Sequence, residues 1–157
     1  MKTLSKKAKY GLRALYVLTR EYGRGPVLIA TLAEQEGIPK KFLEAILLEL
    51  RNHGIVTSKK GRGGGYHLSK PPDQVTIGAV VRVIDGPLAP LACASESAFR
   101  KCDECADIET CETRVVMKQV RDAMAAILDR TTLAEICRAV DEIKDQRLAG
   151  EPLMYHI

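Results

Sequence analysis

The stretch from Lys40 to Leu68 constrains this chain most. Phe42, Leu43, Ile46, Leu47 and Leu50 recur at helical spacing and predict one inward stripe on a helix from Lys40 to Asn52. Lys40, Lys41, Glu44, Arg51 and His53 fall elsewhere on that helix, free to face a partner. Gly54 ends it. A short apolar strand follows, Ile55-Val56-Thr57, and then a basic glycine turn, Lys59-Lys60-Gly61-Arg62-Gly63-Gly64-Gly65. Tyr66-His67-Leu68 reads as the returning strand of a hairpin. Glycine permits positive φ and close approach of backbone to another molecule. A helix followed by a basic hairpin is what a winged helix-turn-helix needs, with the helix in the major groove and the hairpin on the adjacent backbone or minor groove. A nucleotide-binding fingerprint would require a helix after the glycines, and here a strand follows. A hairpin with no partner, or one that contacts protein, is the other reading of the same residues.

The segment before this stretch completes a bihelical motif. Ile29 to Glu36 predicts a short helix, Gly37 ends it, Ile38 packs in the turn, and Pro39 begins the next helix. Upstream, Leu4 to Tyr22 predicts an amphipathic helix with Ser5 as its cap. Lys6, Lys7, Lys9 and Arg13 crowd its beginning, where positive charge opposes the helix dipole and an external anion would relieve it. Gly23-Arg24-Gly25-Pro26 breaks the chain, and Val27-Leu28 suits a small strand.

Charge is divided along the chain. Residues 1–70 hold fourteen Lys and Arg against five Asp and Glu, a balance of +9; residues 71–157 hold ten against fifteen, a balance of −5. A basic half joined to an acidic one is the footprint of a nucleic-acid-binding unit attached to something else. The candidate DNA contacts are Ser5, Lys6 and Lys9 on the first helix and Lys40, Lys41 and Glu44 on the recognition helix. In the wing they are Lys59, Lys60, Arg62, Gly63, Gly64 and Tyr66.

Ser69-Lys70-Pro71-Pro72-Asp73 reads as a boundary. It divides a winged helix-turn-helix unit, residues 1–72, from a unit of residues 73–148 that holds a cysteine-rich loop and dimerisation helices. A loose tail would follow, residues 149–157. In the second unit Thr76 to Ile84 predicts a helix with Ile77, Val80, Val81 and Ile84 on one face. Glu112 to Arg130 predicts a long helix, on which Met117, Val120, Met124 and Ile127 form a heptad-like seam. Little other apolar material in this region could cover that seam, so it predicts a homodimer; an intrachain core helix is the alternative. Thr132 and Glu135 form a capping box that opens a last helix to about Arg147. The fold class is therefore mainly α with a small β-wing.

Within the second unit lies an irregular segment with Cys93, Cys102, Cys105 and Cys111. Four soft ligands in a loop suit zinc or an iron–sulfur cluster. A reversible thiol–disulfide switch is the other chemistry open to them, because constitutive disulfides do not suit a cytosolic protein. No apolar run reaches membrane-spanning length, and Met1-Lys2-Thr3 leads into a charged segment rather than a leader, so a cytoplasmic protein with no membrane partner is expected. Cys137 lies on an amphipathic helix beside Ile136 and reads as core. An enzyme finds little support. His53, His67 and His156 are scattered with no nucleophile–base pair, and Cys102-Asp103-Glu104-Cys105 lacks the βαβ setting of a dithiol oxidoreductase.

The run Leu4 to Leu15, the Gly37-Ile38 turn, Phe42-Leu43-Glu44, the run Leu50 to Val56 and the wing Gly63-Gly64-Gly65-Tyr66 together resemble the Rrf-type family of bacterial transcription regulators. Its members include IscR, NsrR, RirA and CymR. The resemblance covers the chain to about Val140. It implies a dimeric winged-helix transcription factor bound to double-stranded DNA at an inverted repeat, with Glu44 reading bases, where Glu accepts from cytosine N4. Members of the IscR and NsrR kind hold a cluster on three cysteines of this loop, and Cys93, Cys105 and Cys111 match their order. Cys102 is additional here. Arg114 stands where IscR has a ligand histidine, and Ala8 where NsrR has an aspartate. The resemblance thus implies an iron–sulfur cluster, of the 2Fe–2S type, with Cys102 completing a four-thiolate set. Other members bind no metal, which leaves the thiol switch open.

Overall fold

The structure is a computed structural model, and it describes residues 4–149. Of the expected tail, only Ala149 lies among them. The elements follow in the order α1 (Lys6–Arg20), α2 (Ile29–Glu36), α3 (Lys40–Asn52), β1 (Val56–Lys59), β2 (Gly65–Leu68), α4 (Ile77–Asp85), α5 (Glu112–Arg130) and α6 (Leu133–Leu148). Single 3-10 turns sit at Pro72–Gln74 and Ala92–Ala94. The class is the expected one, mostly helical with one small antiparallel hairpin.

Helix starts follow from side chains that satisfy the orphan N–H groups of a first turn. The Ser5 hydroxyl accepts from Ala8 N at 3.0 Å, so α1 begins at Lys6 rather than Leu4. Thr76 accepts from Ala79 N at 3.2 Å, so α4 begins at Ile77 and runs one residue past Ile84. Thr132 and Glu135 satisfy each other's N–H groups in the expected capping box, at 2.8 and 3.2 Å. Pro39 is the residue before α3 rather than its first member, and its carbonyl accepts from Phe42 and Leu43, both at 3.0 Å.

The α2–α3 turn is a glycine stop. Gly37 is left-handed at φ 59°, its N–H reaches Glu34 O, and Ile38 N–H reaches Ala33 O at 2.9 Å. Ile38 is buried beneath the turn. Four of the five stripe residues of α3 are buried: Leu43, Ile46, Leu47 and Leu50. Phe42 departs from the expectation. It is 38% exposed and meets the ring of Tyr10 edge-on at 5.8 Å, because in the first turn of α3 it lies over α1 instead of beneath α3.

In the hairpin, Val56 pairs with Leu68 and Lys59 with Gly65. The first strand starts one residue later and ends two residues later than expected, while Ile55 is buried in the turn before it. The expected strand at Val27-Leu28 reduces to one bridging residue: Val27 exchanges both backbone hydrogen bonds with Tyr66 at 2.8 Å.

One core joins everything that positions the reading head. Leu15 and Leu18 of α1, Leu32 of α2, the four buried stripe residues of α3, Val56, Val80 of α4 and Leu133 of α6 all belong to the same cluster. The core therefore does not stop at residue 72. Ile77 N–H bonds Thr131 O and Leu133 N–H bonds Val75 O, both at 2.9 Å, so a backbone bridge ties the start of α4 to the α5–α6 junction. Helix α6 then returns across α1, where Arg20 meets Asp141 at 3.0 Å. That contact holds the Asp141 carboxyl below the usual carboxylate range.

Candidate DNA-reading face and cysteine loop

Lys40, Lys41, Glu44, Ala45, Leu48 and Arg51 are exposed on the side of α3 opposite the core. The exposed apolar pair was not singled out in the sequence. Ala45 and Leu48 (46% exposed) sit among the charges, where small apolar groups suit thymine methyls. Its signal in the sequence was an apolar residue off the buried stripe. Arg51 donates to the Ser58 hydroxyl at 3.3 Å and so braces α3 against β1.

The Tyr10–Phe42 contact brings the basic start of α1 beside the start of α3. Lys6 and Lys9 are exposed there, with the Lys6 ammonium 5.5 Å from the Tyr10 ring centre. Two cations of that cluster are taken up by carboxylates of neighbouring helices. Lys7 pairs with Glu49 at 2.5 Å, and Arg13 with Glu36 at 2.9 Å. Ser5 is half-buried and committed: its N–H donates to Asp85 at 2.9 Å, and its hydroxyl bonds Asp85 as well as capping α1. That leaves Ser5 as a joint between α1 and the end of α4 rather than an open contact.

At the wing tip Lys59, Lys60, Arg62 and Gly63 are exposed. Gly64 and Tyr66 are not. Gly64 is buried, and a Cβ there would stand 2.3 Å from Lys59 O. Gly65, at φ 148°, would put a Cβ 2.3 Å from Val27 O. These glycines let the hairpin close on itself and on Val27, and Tyr66 packs half-buried against the core. They build the wing, and the cations beside them form its surface.

The cysteine segment lies along α5. Cys93 is buried in the Ala92–Ala94 turn, Cys102 is exposed, and Cys105 and Cys111 are half-buried. Cys111 precedes α5 and makes no side-chain cap. The thiols act on one another. Hydrogen bonding with Cys93, ahead of the charges of Cys93, Cys105 and Cys111, raises the Cys102 thiol above its ordinary pKa. Loss of hydration, then Cys111, raises that of Cys105. Cys105 Sγ donates to Asp107 O at 3.2 Å. Among the described residues, no three His, Cys, Asp or Glu side chains stand gathered as a ready metal site. Cys137 is buried between α6 and α1, 3.8 Å from Tyr16 O, and burial raises its thiol.

On α5, the structure turns the expected seam. Met117, Val120 and Met124 are half-buried, and Met124 lines an apolar cavity of about 220 Å³ with Leu4, Val81, Leu88 and Leu128. The inward face is Arg114, Met117, Arg121, Met124 and Leu128. The outward apolar stripe is Val116, Val120, Ala123 and Ile127, with Val116 50% and Ile127 66% exposed. Of the expected seam, only Val120 and Ile127 belong to it. On the inward face Leu128 packs against the core, Met124 lines the cavity, and Arg114 and Arg121 reach loop carbonyls.

A two-helix motif with an exposed charged face, a hairpin with a basic tip and a cysteine loop carried on a long helix define a winged helix-turn-helix regulator. Residues 4–139 match the model of the Rrf2 family, described as an iron-dependent transcriptional regulator, and the chain belongs to that family. It is 43% identical over 139 residues to an rrf2-like HTH-type transcriptional regulator of Rhodobacter capsulatus, a match covering 87% of this chain and 93% of that protein. It is 32% identical to the HTH-type transcriptional regulator CymR of Bacillus subtilis, over 88% of this chain and 91% of that one. Among solved structures, CymR, the global cysteine regulator of B. subtilis, superposes with a TM-score of 0.73 at 30% identity, covering 88% of this chain and 98% of that chain. IscR of T. potens superposes at 0.67 with 28% identity, covering 99% and 95%. These relatives are transcriptional regulators and not enzymes. No described helix is long and apolar enough to cross a membrane.

Proposed function

We propose that this regulator works in the cytoplasm as a two-fold dimer and represses from an inverted-repeat operator, with the cysteine loop as its sensor. The observation that carries the proposal is the continuity of α5. Its outward stripe Val116, Val120, Ala123 and Ile127 is spaced four, three and four residues apart, the period of a two-helix seam. Its inward face carries the cysteine loop. A change in the loop is therefore felt on the helix that pairs two reading heads.

The residues that read DNA in this proposal are Lys40, Lys41, Glu44 and Arg51 of α3 in the major groove, with Ala45 and Leu48 against thymine methyls. Lys6 and Lys9 hold the backbone beside α3. Lys59, Lys60 and Arg62 of the wing hold the phosphates that line the adjacent groove.

The group that four soft thiolates suit is an iron–sulfur cluster of the 2Fe–2S type, held by Cys93, Cys102, Cys105 and Cys111. Donor chemistry supports this; placement does not, since the four thiols are not gathered into a set. A specific observation favours a second reading. Cys93 is the chief influence that raises the Cys102 thiol, and Cys111 acts on Cys105 after loss of hydration, so the four thiols fall into two neighbouring pairs. Two such pairs suit a reversible thiol–disulfide switch. Either chemistry changes DNA binding only if it alters the relative free energies of the two states.

The deciding experiment is iron and sulfide analysis with a visible absorption spectrum on anaerobically purified protein. Colour and about two irons per chain support the cluster. A colourless, iron-free protein whose DNA binding responds to disulfide reagents supports the switch. A colourless protein whose DNA binding ignores such reagents as well would remove the loop as sensor.

A further inference from the structure

Two arginines of α5 have no part in reading DNA or in binding metal. Arg114 donates from Nε to Cys93 O at 3.0 Å and from Nη1 to Ile108 O at 3.4 Å. Arg121 donates from Nη1 to Ala94 O at 2.7 Å, and its Nη2 lies 3.2 Å from a Glu96 carboxylate oxygen. The Arg121 side chain is only 12% exposed. Two turns separate these residues, so both stand on one face of the helix.

The carbonyls they take are the ones the loop leaves over. In the Ala92–Ala94 turn, Ala92 O already accepts from Ser95 N at 3.1 Å and from Arg100 N at 3.3 Å. The carbonyls of Cys93 and Ala94 come last in that turn and have no partner within it, as helix ends dictate. Cationic donors at such an end are favourable on both hydrogen-bonding and dipole grounds. A guanidinium is always protonated and has no lone pair to give, so Arg114 cannot ligate a metal. Its fork instead bridges two carbonyls, one on each flank of the Cys102–Cys105 segment.

We propose that Arg114 and Arg121 are positioning residues that clasp the cysteine loop to α5 and thereby set where the Cys93 thiol stands. This rests on the reading of the loop as sensor, and it assigns the route from loop to helix. The arginines grip backbone rather than sulfur, so they register the path of the loop whatever chemistry occurs at the thiols.

The test uses full-length, reduced protein freed of iron with a chelator. Iodoacetamide labelling under native conditions is followed cysteine by cysteine by mass spectrometry. In wild type, the buried thiols Cys93 and Cys137 label slowly and exposed Cys102 fast. Arg114→Ala should speed Cys93 by at least about five-fold through local opening, while Cys137 keeps its rate. Arg114→Lys, with a single ammonium for two carbonyls, should fall between. Arg121→Lys should also speed Cys93. An unchanged Cys93 rate in all three variants overturns the clasp. So does a parallel rise at Cys93 and Cys137, which would mean general loosening. Should Arg114→Ala fail to fold, the two lysine variants decide. Iron content is measured separately, so loss of the cluster reading and loss of the clasp give different results.

Discussion

Replacing Arg62 by alanine tests the reading head most directly. Arg62 is exposed at the wing tip, beyond Gly61 at φ 91°, and makes no hydrogen bond or ion pair among the described residues. Its loss should leave the fold intact and remove one phosphate contact per protomer. Each contact contributes about 0.9 to the slope of log K against log salt, so a dimer with both wings engaged should lose about 1.8. If counterion release is the whole of the contribution, that slope corresponds to roughly 30-fold weaker binding at 0.15 M salt relative to a 1 M reference. Fluorescence anisotropy on an in vitro-selected operator and on a scrambled duplex, from about 0.05 to 0.3 M KCl, reads both quantities. The loss should be similar on the two duplexes, because phosphate contacts carry no sequence. A slope change near 0.9 would mean that only one wing is engaged. An unchanged slope would refute the wing as a DNA contact.

Glu44→Ala should alter the selected sequence more than overall affinity, as read by repeating the selection with the variant. Val116→Glu should yield monomers in light scattering, because a charge would be buried without a partner in a seam along α5, whereas Gln119→Glu should not. Leu47→Ala, at a position with no exposure, should lower unfolding free energy by about 2–5 kcal/mol in urea titrations. The Arg82 guanidinium beside Asp129 at 2.9 Å holds that carboxyl below its ordinary value. A depressed folded pKa gives stability present above the unfolded carboxylate value, about 3.9, and lost as pH falls through the folded one. Asp129→Asn should therefore flatten the fall of stability between about pH 5 and pH 2, and an equally steep fall in the variant would refute the assignment.

Much of the reading head was legible because its signals are local. The α3 stripe, the Gly37 stop, the two-strand turn and the Thr132–Glu135 box each depend on residues a few positions apart. What was not legible depended on distant partners. Phe42 faces outward because Tyr10 of α1 receives it. Ser5 is occupied because Asp85, eighty residues on, takes its hydroxyl and N–H. The period of α5 is visible in the sequence but its rotation is not, because the inward face meets distant partners: Met124 and Leu128 pack against the core and cavity, and Arg114 and Arg121 reach carbonyls of an irregular loop. Gly64, expected as a DNA contact, is buried in a tight backbone crossing with Gly65, which only the approach of Lys59 O and Val27 O reveals.

The ends of α5 are fastened differently. At one end the backbone bridge of Thr132 to Thr76 ties the helix to the core, with Ile77 N–H donating to Thr131 O and Leu133 N–H to Val75 O. At the other end stands Cys111, followed by a face held to the loop through side chains. Nineteen residues make a rod of about 28 Å. A rod pinned at one end behaves as a lever, and a tilt of a few degrees at the pinned end displaces the free end by about 1–2 Å. In the proposed sensor, sulfur chemistry is placed at the end of α5 with the greatest mechanical advantage, and the rigid core supplies the fulcrum.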